Sequence, residues 1–178
     1  RKAIFSAQAA NAPESLYRWH WQLGRQLAAT GHIDEALSAY DQAATVLRPI
    51  RMEVAASLMN GAATGEELIR PLFFEQADLL FKKASSTDDA NVAETYLRQA
   101  RDAIENYKAA ELRDYFRDQC VDALQAKLTK LDIVSPSTAV MYPIIFAERT
   151  ELLVSFSSGL IRYSVPIGAA VLTEEVRA

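Results

Sequence analysis

The first half of the chain carries apolar residues at helical spacing between short polar turns. Residues 13–29 have apolar positions three and four apart, the spacing of one helix face. These positions are Leu16, Trp19, Leu23 and Leu27. Asn11 and Glu14 resemble a capping pair around Pro13, and Gly31 suits the residue after a helix end. The pattern therefore predicts a helix that starts near Pro13 and stops before Gly31.

A second helix is predicted from Asp34 to about residue 47, directly after the turn. Small residues on both predicted helices lie around a single large aromatic residue. The small residues are Gly24, Ala36 and Ala43, and the aromatic residue is Tyr40. Two helices approach closely only where side chains are small, so we expect an antiparallel hairpin with Tyr40 packed in its interface.

Three further helices are predicted at residues 72–84, 92–107 and 108–124. Residues 48–71 are interpreted as an extra short helix, a glycine-containing loop and the entry to the next helix. Pro136 ends the helical part of the chain, because proline cannot continue a helix.

The pattern changes after Pro136 to runs rich in β-branched and aromatic residues. Residues 139–146, 151–156 and 160–167 predict an antiparallel meander of three strands. Pro143 is then expected at an edge or a bulge, as is Pro166. A three-stranded sheet with one apolar face needs a second layer, from helices, from another part of the protein or from a second copy.

The hairpin resembles a tetratricopeptide repeat, a helix pair of about 34 residues with small and large residues at fixed positions. Gly24, Ala36 and Ala43 match the small positions, and Leu23 and Tyr40 match the large ones. The second copy, around Ala77, Ala93 and Ala100, is weaker and irregular. The predicted fold class is mostly α, with tetratricopeptide-like helical hairpins followed by a small antiparallel β-meander.

The later segments AELRDYFRDQC and YPIIFAERTELLVSF, followed by GLIRYSVPI, resemble the helix and opening hairpins of a bacterial CHAT domain, a caspase-like fold preceded by such repeats. The resemblance implies helical repeats over 1–125, a linker over 126–138 and the start of a CHAT domain over 139–178. Both chain ends are interpreted as cuts within a longer polypeptide. The catalytic His and Cys of that family match no position here, so no catalytic residue is predicted.

Charge and composition narrow the functional class. A net charge of −4 and a pI near 5.3 argue against a nucleic-acid binder, which usually carries a basic face. No apolar run is long enough for a membrane span. The single cysteine, Cys120, favours a reducing, cytoplasmic location, and its place on an apolar stripe predicts packing rather than chemistry. His20 and His32 lack metal-ligand spacing, so no metal or cofactor is predicted.

Arg18, Trp21 and Arg25 are the candidate binding residues. They fall on one face of the first helix of the pair, the helix that lines the groove in tetratricopeptide arrays. Two guanidinium groups around an indole can hold a carboxylate of an acidic peptide. The alternatives are a solvated face, or arginines paired to neighbouring acids such as Glu14 or Glu35.

The predicted function is a non-enzymatic protein-interaction module that binds a peptide or protein segment in the helical groove. Two alternatives remain open at this stage. In the first, the chain is the regulatory half of a CHAT cysteine peptidase whose catalytic His and Cys lie beyond this chain. In the second, it is a homodimerisation unit that pairs through its strands.

Overall fold

The computed structural model describes residues 2–58, 65–116 and 138–177. Its contacts group the chain into two compact units, residues 1–80 and 81–178. The described part is mostly helical, with a small antiparallel sheet near the C-terminus, which confirms the predicted fold class. Within that part, no helix is both long and apolar enough to cross a membrane.

In the first unit, the two helices of the predicted hairpin start within one residue of their predicted positions. α1 spans Lys2–Ala9, α2 Pro13–Ala29, α3 Ile33–Leu58 and α4 Gly65–Ser86, the last of which continues into the second unit. α2 and α3 are joined by a short turn and pack side by side as an antiparallel pair. The hairpin predicted over residues 13–47 is therefore confirmed.

The predicted capping pair at the start of α2 is wrong. The N-cap residue is Ala12, which has no side-chain cap, and Pro13 is the first helical residue. Asn11 instead has φ of 48° and ends α1, since its amide donates to the carbonyl of Gln8. Asparagine tolerates this left-handed conformation better than most residues, which explains its place between two helices.

The predicted end of the second helix of the hairpin is also wrong. α3 does not stop near residue 47 but runs through Pro49 to Leu58, so residues 48–58 are not a separate short helix. Proline removes one helical hydrogen bond, but Leu47 and Val54 are both buried on either side of it, and this packing holds the helix together.

In the second unit, α5 spans Ala90–Phe116 as one helix, where two helices were predicted to meet at residues 107 and 108. No glycine or proline interrupts the sequence there, and nothing local ends the helix. The Asp89 carboxylate caps its start by accepting from the amides of Asn91 and Val92. The rest of the predicted helix 108–124 lies outside the described residues, as does nearly all of the predicted linker 126–138.

The predicted three-stranded meander is confirmed. Strands β1 Val140–Ile145, β2 Thr150–Phe156 and β3 Gly159–Val165 pair antiparallel in the order β1-β2-β3, and α6 spans Ala169–Arg177. Pro143 lies on an edge strand and Pro166 directly after β3, where neither interrupts a central ladder.

The two faces of the sheet differ in their surroundings. One face packs against helical residues of the second unit, where Phe81 meets Phe146 edge to face with ring centroids 6.1 Å apart. On this face the side chain of Glu151 is fully buried between Arg149 and Arg162. Arg162 also donates to the carbonyl of Phe81, so the buried charges tie β2 and β3 to the end of α4.

Candidate functional site

The predicted binding residues lie on one face of α2, which the helix pair holds in place. Gly24 lies on α2 against the buried ring of Tyr40 on α3, as its small size predicted. This close approach fixes the rotation of α2 about its own axis. Trp21 and Arg25 are one helical turn apart on the same face, and the Arg25 guanidinium lies 4.3 Å from the centre of the Trp21 ring.

A carboxylate from α4 occupies the space beside this stacked pair. Trp21 donates its indole N–H to Glu75 Oε2 over 2.8 Å, and Arg25 Nη2 lies 2.6 Å from Glu75 Oε1. The Tyr40 hydroxyl donates to the same carboxylate over 3.0 Å. Three helices of the first unit thus meet at one acidic side chain. We call Trp21, Arg25, Tyr40 and Glu75 the Glu75 cluster.

The electrostatics of the Glu75 cluster favour the ionised carboxylate. Burial acts to raise the pKa of Glu75, but hydrogen bonds from Arg25, Trp21 and Tyr40 and the charge of Arg25 hold that pKa below its usual value. Burial and the neighbouring Glu75 charge raise the pKa of the Tyr40 hydroxyl well above its usual value. Tyr40 therefore acts as a neutral donor at neutral pH.

Arg18 shares the face of α2 but does not join the cluster. Its Nε donates to the hydroxyl of the adjacent Tyr17 over 3.2 Å, and the residue is exposed. The structure therefore brings Trp21 and Arg25 together around a carboxylate and leaves Arg18 beside them on the same face. Neither of the suggested local acids is the partner of Arg25, which binds Glu75 instead.

Glu75 is the residue that the sequence reasoning missed. It lies 50 residues from Arg25 along the chain, and no local spacing links it to either side chain. The weak second repeat around Ala77 predicted only that α4 would pack beside the first helix pair. That prediction does not specify which side chain of α4 reaches α2, because this depends on how the helices are rotated when they pack.

The other candidate residues do not belong to the Glu75 cluster or lie outside the described residues. His32 Nδ1 lies 3.0 Å from the Thr30 hydroxyl in the turn. His20 is buried on α2, and Cys120 lies outside the described residues. Across the ranges that the structure describes, no group of three His, Cys, Asp or Glu side chains could hold a metal ion.

Comparisons with known proteins leave the chain without a matching family or relative. No family model matches it, and the searches of curated proteins and of solved structures found no match. The resemblance to tetratricopeptide and CHAT proteins stays a prediction.

Proposed function

We propose that this chain is a non-enzymatic protein-interaction module of the tetratricopeptide–CHAT type, which binds an acidic segment of a partner on the Arg18–Arg25 face of α2. One observation carries the proposal: Trp21 and Arg25 already hold a carboxylate in the Glu75 cluster. A guanidinium stacked on an indole and fixed by a bidentate acid is preorganised for further anion contacts. About 41% of the Arg25 side chain is exposed to receive them.

Glu75 positions the site rather than filling it. It holds Arg25 against Trp21 from the inner side, and the outer edge of the guanidinium faces a partner. Arg18 supplies a second cation seven residues earlier on α2, about 10 Å away along the helix axis at 1.5 Å per residue. In a polyproline II conformation, which has three residues per turn, residues three apart lie on the same face of a peptide and are separated by about 9 Å. The expected ligand therefore carries two acidic residues in a Glu-x-x-Glu arrangement.

The test uses a fluorescein-labelled Glu-x-x-Glu peptide, a Gln-x-x-Gln version and the 178-residue chain. Anisotropy titration at low salt should show binding of the acidic peptide, and Arg18→Glu with Arg25→Glu should weaken it about tenfold. Arg18→Glu alone leaves the Glu75 cluster intact and should weaken binding about threefold. Arg48→Glu, an exposed charge reversal on α3, is the matched control. Equal binding of both peptides, or unchanged binding by the Arg18 variant, contradicts the proposal.

The second candidate function is homodimerisation through the sheet. The strand registers place Met141, Val154 and Ile161 in one cross-strand row, and Pro143, Leu152 and Tyr163 in the next. These side chains share the sheet face opposite Glu151, because neighbouring residues of a strand alternate between faces. Met141, Ile161 and Tyr163 are 60%, 45% and 56% exposed.

A second copy is the occupant that this face fits. The two rows contain no charged side chain, so a two-fold related copy would bring no like charges together. Sedimentation equilibrium over a range of concentrations should show dimers that Ile161→Lys abolishes, while Glu174→Lys on the exposed side of α6 does not. A monomer at every concentration contradicts dimerisation and leaves the acidic-peptide proposal unaffected.

As part of the same proposal, the module works in the cytoplasm, where a single cysteine would stay reduced. No step of the proposed binding requires a metal or a cofactor.

A further inference from the structure

A second surface of the first unit lies on the opposite side of α2 from the proposed peptide site. It is an open groove of about 470 Å³. Leu16 and His20 of α2 line it, together with a stripe of α3 that includes Asp41, Gln42 and Val46. At about 100° per residue, His20 lies well over 90° around α2 from Arg18 and Arg25. Occupation of this groove would therefore be independent of the Glu75 cluster.

His20 provides the first sign that the groove is a site rather than a packing gap. Its side chain is only 7% exposed, and its Nδ1 is buried with no hydrogen-bond partner in the described part of the chain. Buried polar atoms are nearly always paired, and an orphan needs a reason. Burial also lowers the pKa of His20, so the ring is neutral at pH 7 and adds no positive charge to the groove.

Asp41 provides the second sign, because it sets the charge of the groove. It carries the one charged side chain among the described residues that line the groove. Its Oδ1 accepts a hydrogen bond from Gln76 Nε2, which orients the carboxylate without neutralising it. A carboxylate accepts several hydrogen bonds, so it can take further donors. The lining thus combines one negative charge with a neutral imidazole and the carbonyl and hydroxyl oxygens of Gln42 and Thr45.

We infer that this groove binds a basic side chain, that of a lysine or arginine in a partner peptide. Such a group carries only donors and a positive charge, and the lining offers acceptors and a negative charge. The aliphatic stem of the same side chain would lie against Leu16 and Val46, as long cationic side chains commonly do on apolar surface. The inferred ligand has the opposite charge to the peptide expected on the other side of α2.

The test uses an acetylated, amidated heptapeptide with one central lysine and the same peptide with norleucine in its place. Isothermal titration with the whole chain measures affinity, and the His20 ring signals in NMR spectra report the place of binding. We expect the lysine peptide to bind at least tenfold more tightly than the norleucine peptide and to shift the His20 signals. Free N-acetyl-lysine amide serves as a third arm and should bind more weakly, because it lacks peptide contacts.

Two variants and one control make the result specific. Asp41→Asn keeps an oxygen for Gln76 but removes the charge, so lysine-peptide binding should fall about threefold to fivefold. Gln42→Lys places a competing ammonium in the groove and should reduce binding at least tenfold. Gln22→Lys makes the same change at an exposed position of α2 outside the lining and should have no effect.

Several outcomes would overturn the inference. Equal affinity for the norleucine peptide would show that charge is not read, and unmoved His20 signals would place binding elsewhere. Equal affinity for N-acetyl-lysine amide would make the groove a small-molecule amine site and not a peptide site. The Glu-x-x-Glu peptide should bind the Gln42→Lys variant normally, so the failure of either proposal leaves the other standing.

Discussion

Gly24 lies so close to Tyr40 that a β-carbon on residue 24 would sit 3.0 Å from Cδ2 and Cε2 of the ring. Tyr40 is buried and its hydroxyl is held by Glu75, so the ring cannot easily move away. This contact joins the two helices of the first pair and also sets the rotation of α2. The position of Trp21 and Arg25 beside Glu75 therefore depends on the absence of a β-carbon at residue 24.

Gly24→Ala should lower the free energy of unfolding by about 1–3 kcal/mol, because it overpacks the interface. Helix propensity alone predicts the opposite sign, a gain of up to about 1 kcal/mol for alanine in a helix interior. Urea denaturation followed by circular dichroism decides between the two. Gln26→Ala, at an exposed position of α2, is the control and should change stability little. A stabilised Gly24→Ala variant would mean that α2 and α3 are not in close contact.

Replacement of Arg162 by leucine should destabilise the second unit by about 3 kcal/mol. Its guanidinium Nη2 lies 2.7 Å from the fully buried Glu151 carboxylate, and removal of one partner leaves a buried charge poorly compensated. Arg149 remains beside Glu151 and limits the loss. The double variant Arg162→Leu with Glu151→Leu should lose less than Arg162→Leu alone, because no charge is then stranded. A double variant that loses the sum of both single changes would contradict a coupled pair.

Gly168→Ala should disrupt the contact between the start of α6 and the β1–β2 turn. A β-carbon at residue 168 would overlap the carbonyl oxygen of Ala147, which is backbone and cannot rotate aside. The amide of Ala169 donates to the carbonyl of Phe146 in the same contact. Hydrogen exchange at the Ala169 amide should accelerate at least tenfold in the variant, since its bond must lengthen or break. Glu175→Ala, at an exposed position of α6, is the control, and unchanged exchange in Gly168→Ala would contradict the close approach.

Acidification should lower the free energy of unfolding in two separate pH ranges. Burial lowers the pKa of His20 below 6.5 in the folded state. Between that lowered pKa and 6.5 the unfolded chain binds more protons, so stability falls as pH drops through this window. In the His20→Phe variant, the free energy of unfolding should depend less on pH in this window. If the pH dependence of the free energy of unfolding persists in His20→Phe, another titratable group causes it.

The second range lies at lower pH and reflects protonation of the Glu75 and Glu151 carboxylates. Burial opposes ionisation of Glu75 and Glu151, but their arginine partners hold both pKa values below 4.5 in the folded state. Their stabilisation is present above the unfolded pKa and is lost as pH falls through the folded one. Glu151→Gln should therefore reduce stability at pH 7 but show a shallower loss below pH 4.5 than the unsubstituted chain. Equal slopes for both proteins would contradict a lowered pKa for Glu151.

The parts that local pattern determined were predicted well. The 3.6-residue period of α2 and α3, the small residues around Tyr40 and the alternation of β3 depend on neighbours within a few residues. The predicted ends of helices failed where packing overrode a local signal, as at Pro49 in α3. The prediction that Asn11 caps α2 was wrong for a related reason. Asn11 instead ends α1, and local sequence does not show to which of two adjacent helices a capping residue belongs.

By itself the sequence determined which segments form helices and strands and which residues make up the Arg18–Arg25 face, since periodicity, turn chemistry and charge are local properties of the chain. Tertiary structure alone decided that Glu75 would bind Trp21 and Arg25, that Glu151 would be buried between two arginines, and that Asp41 and His20 would line one groove. Apart from the contact of Arg149 with Glu151, each of these pairings joins residues that are distant in the chain or lie on different elements. They form only when helices and strands pack in one relative rotation and register, and that choice depends on close contacts such as Gly24 against Tyr40.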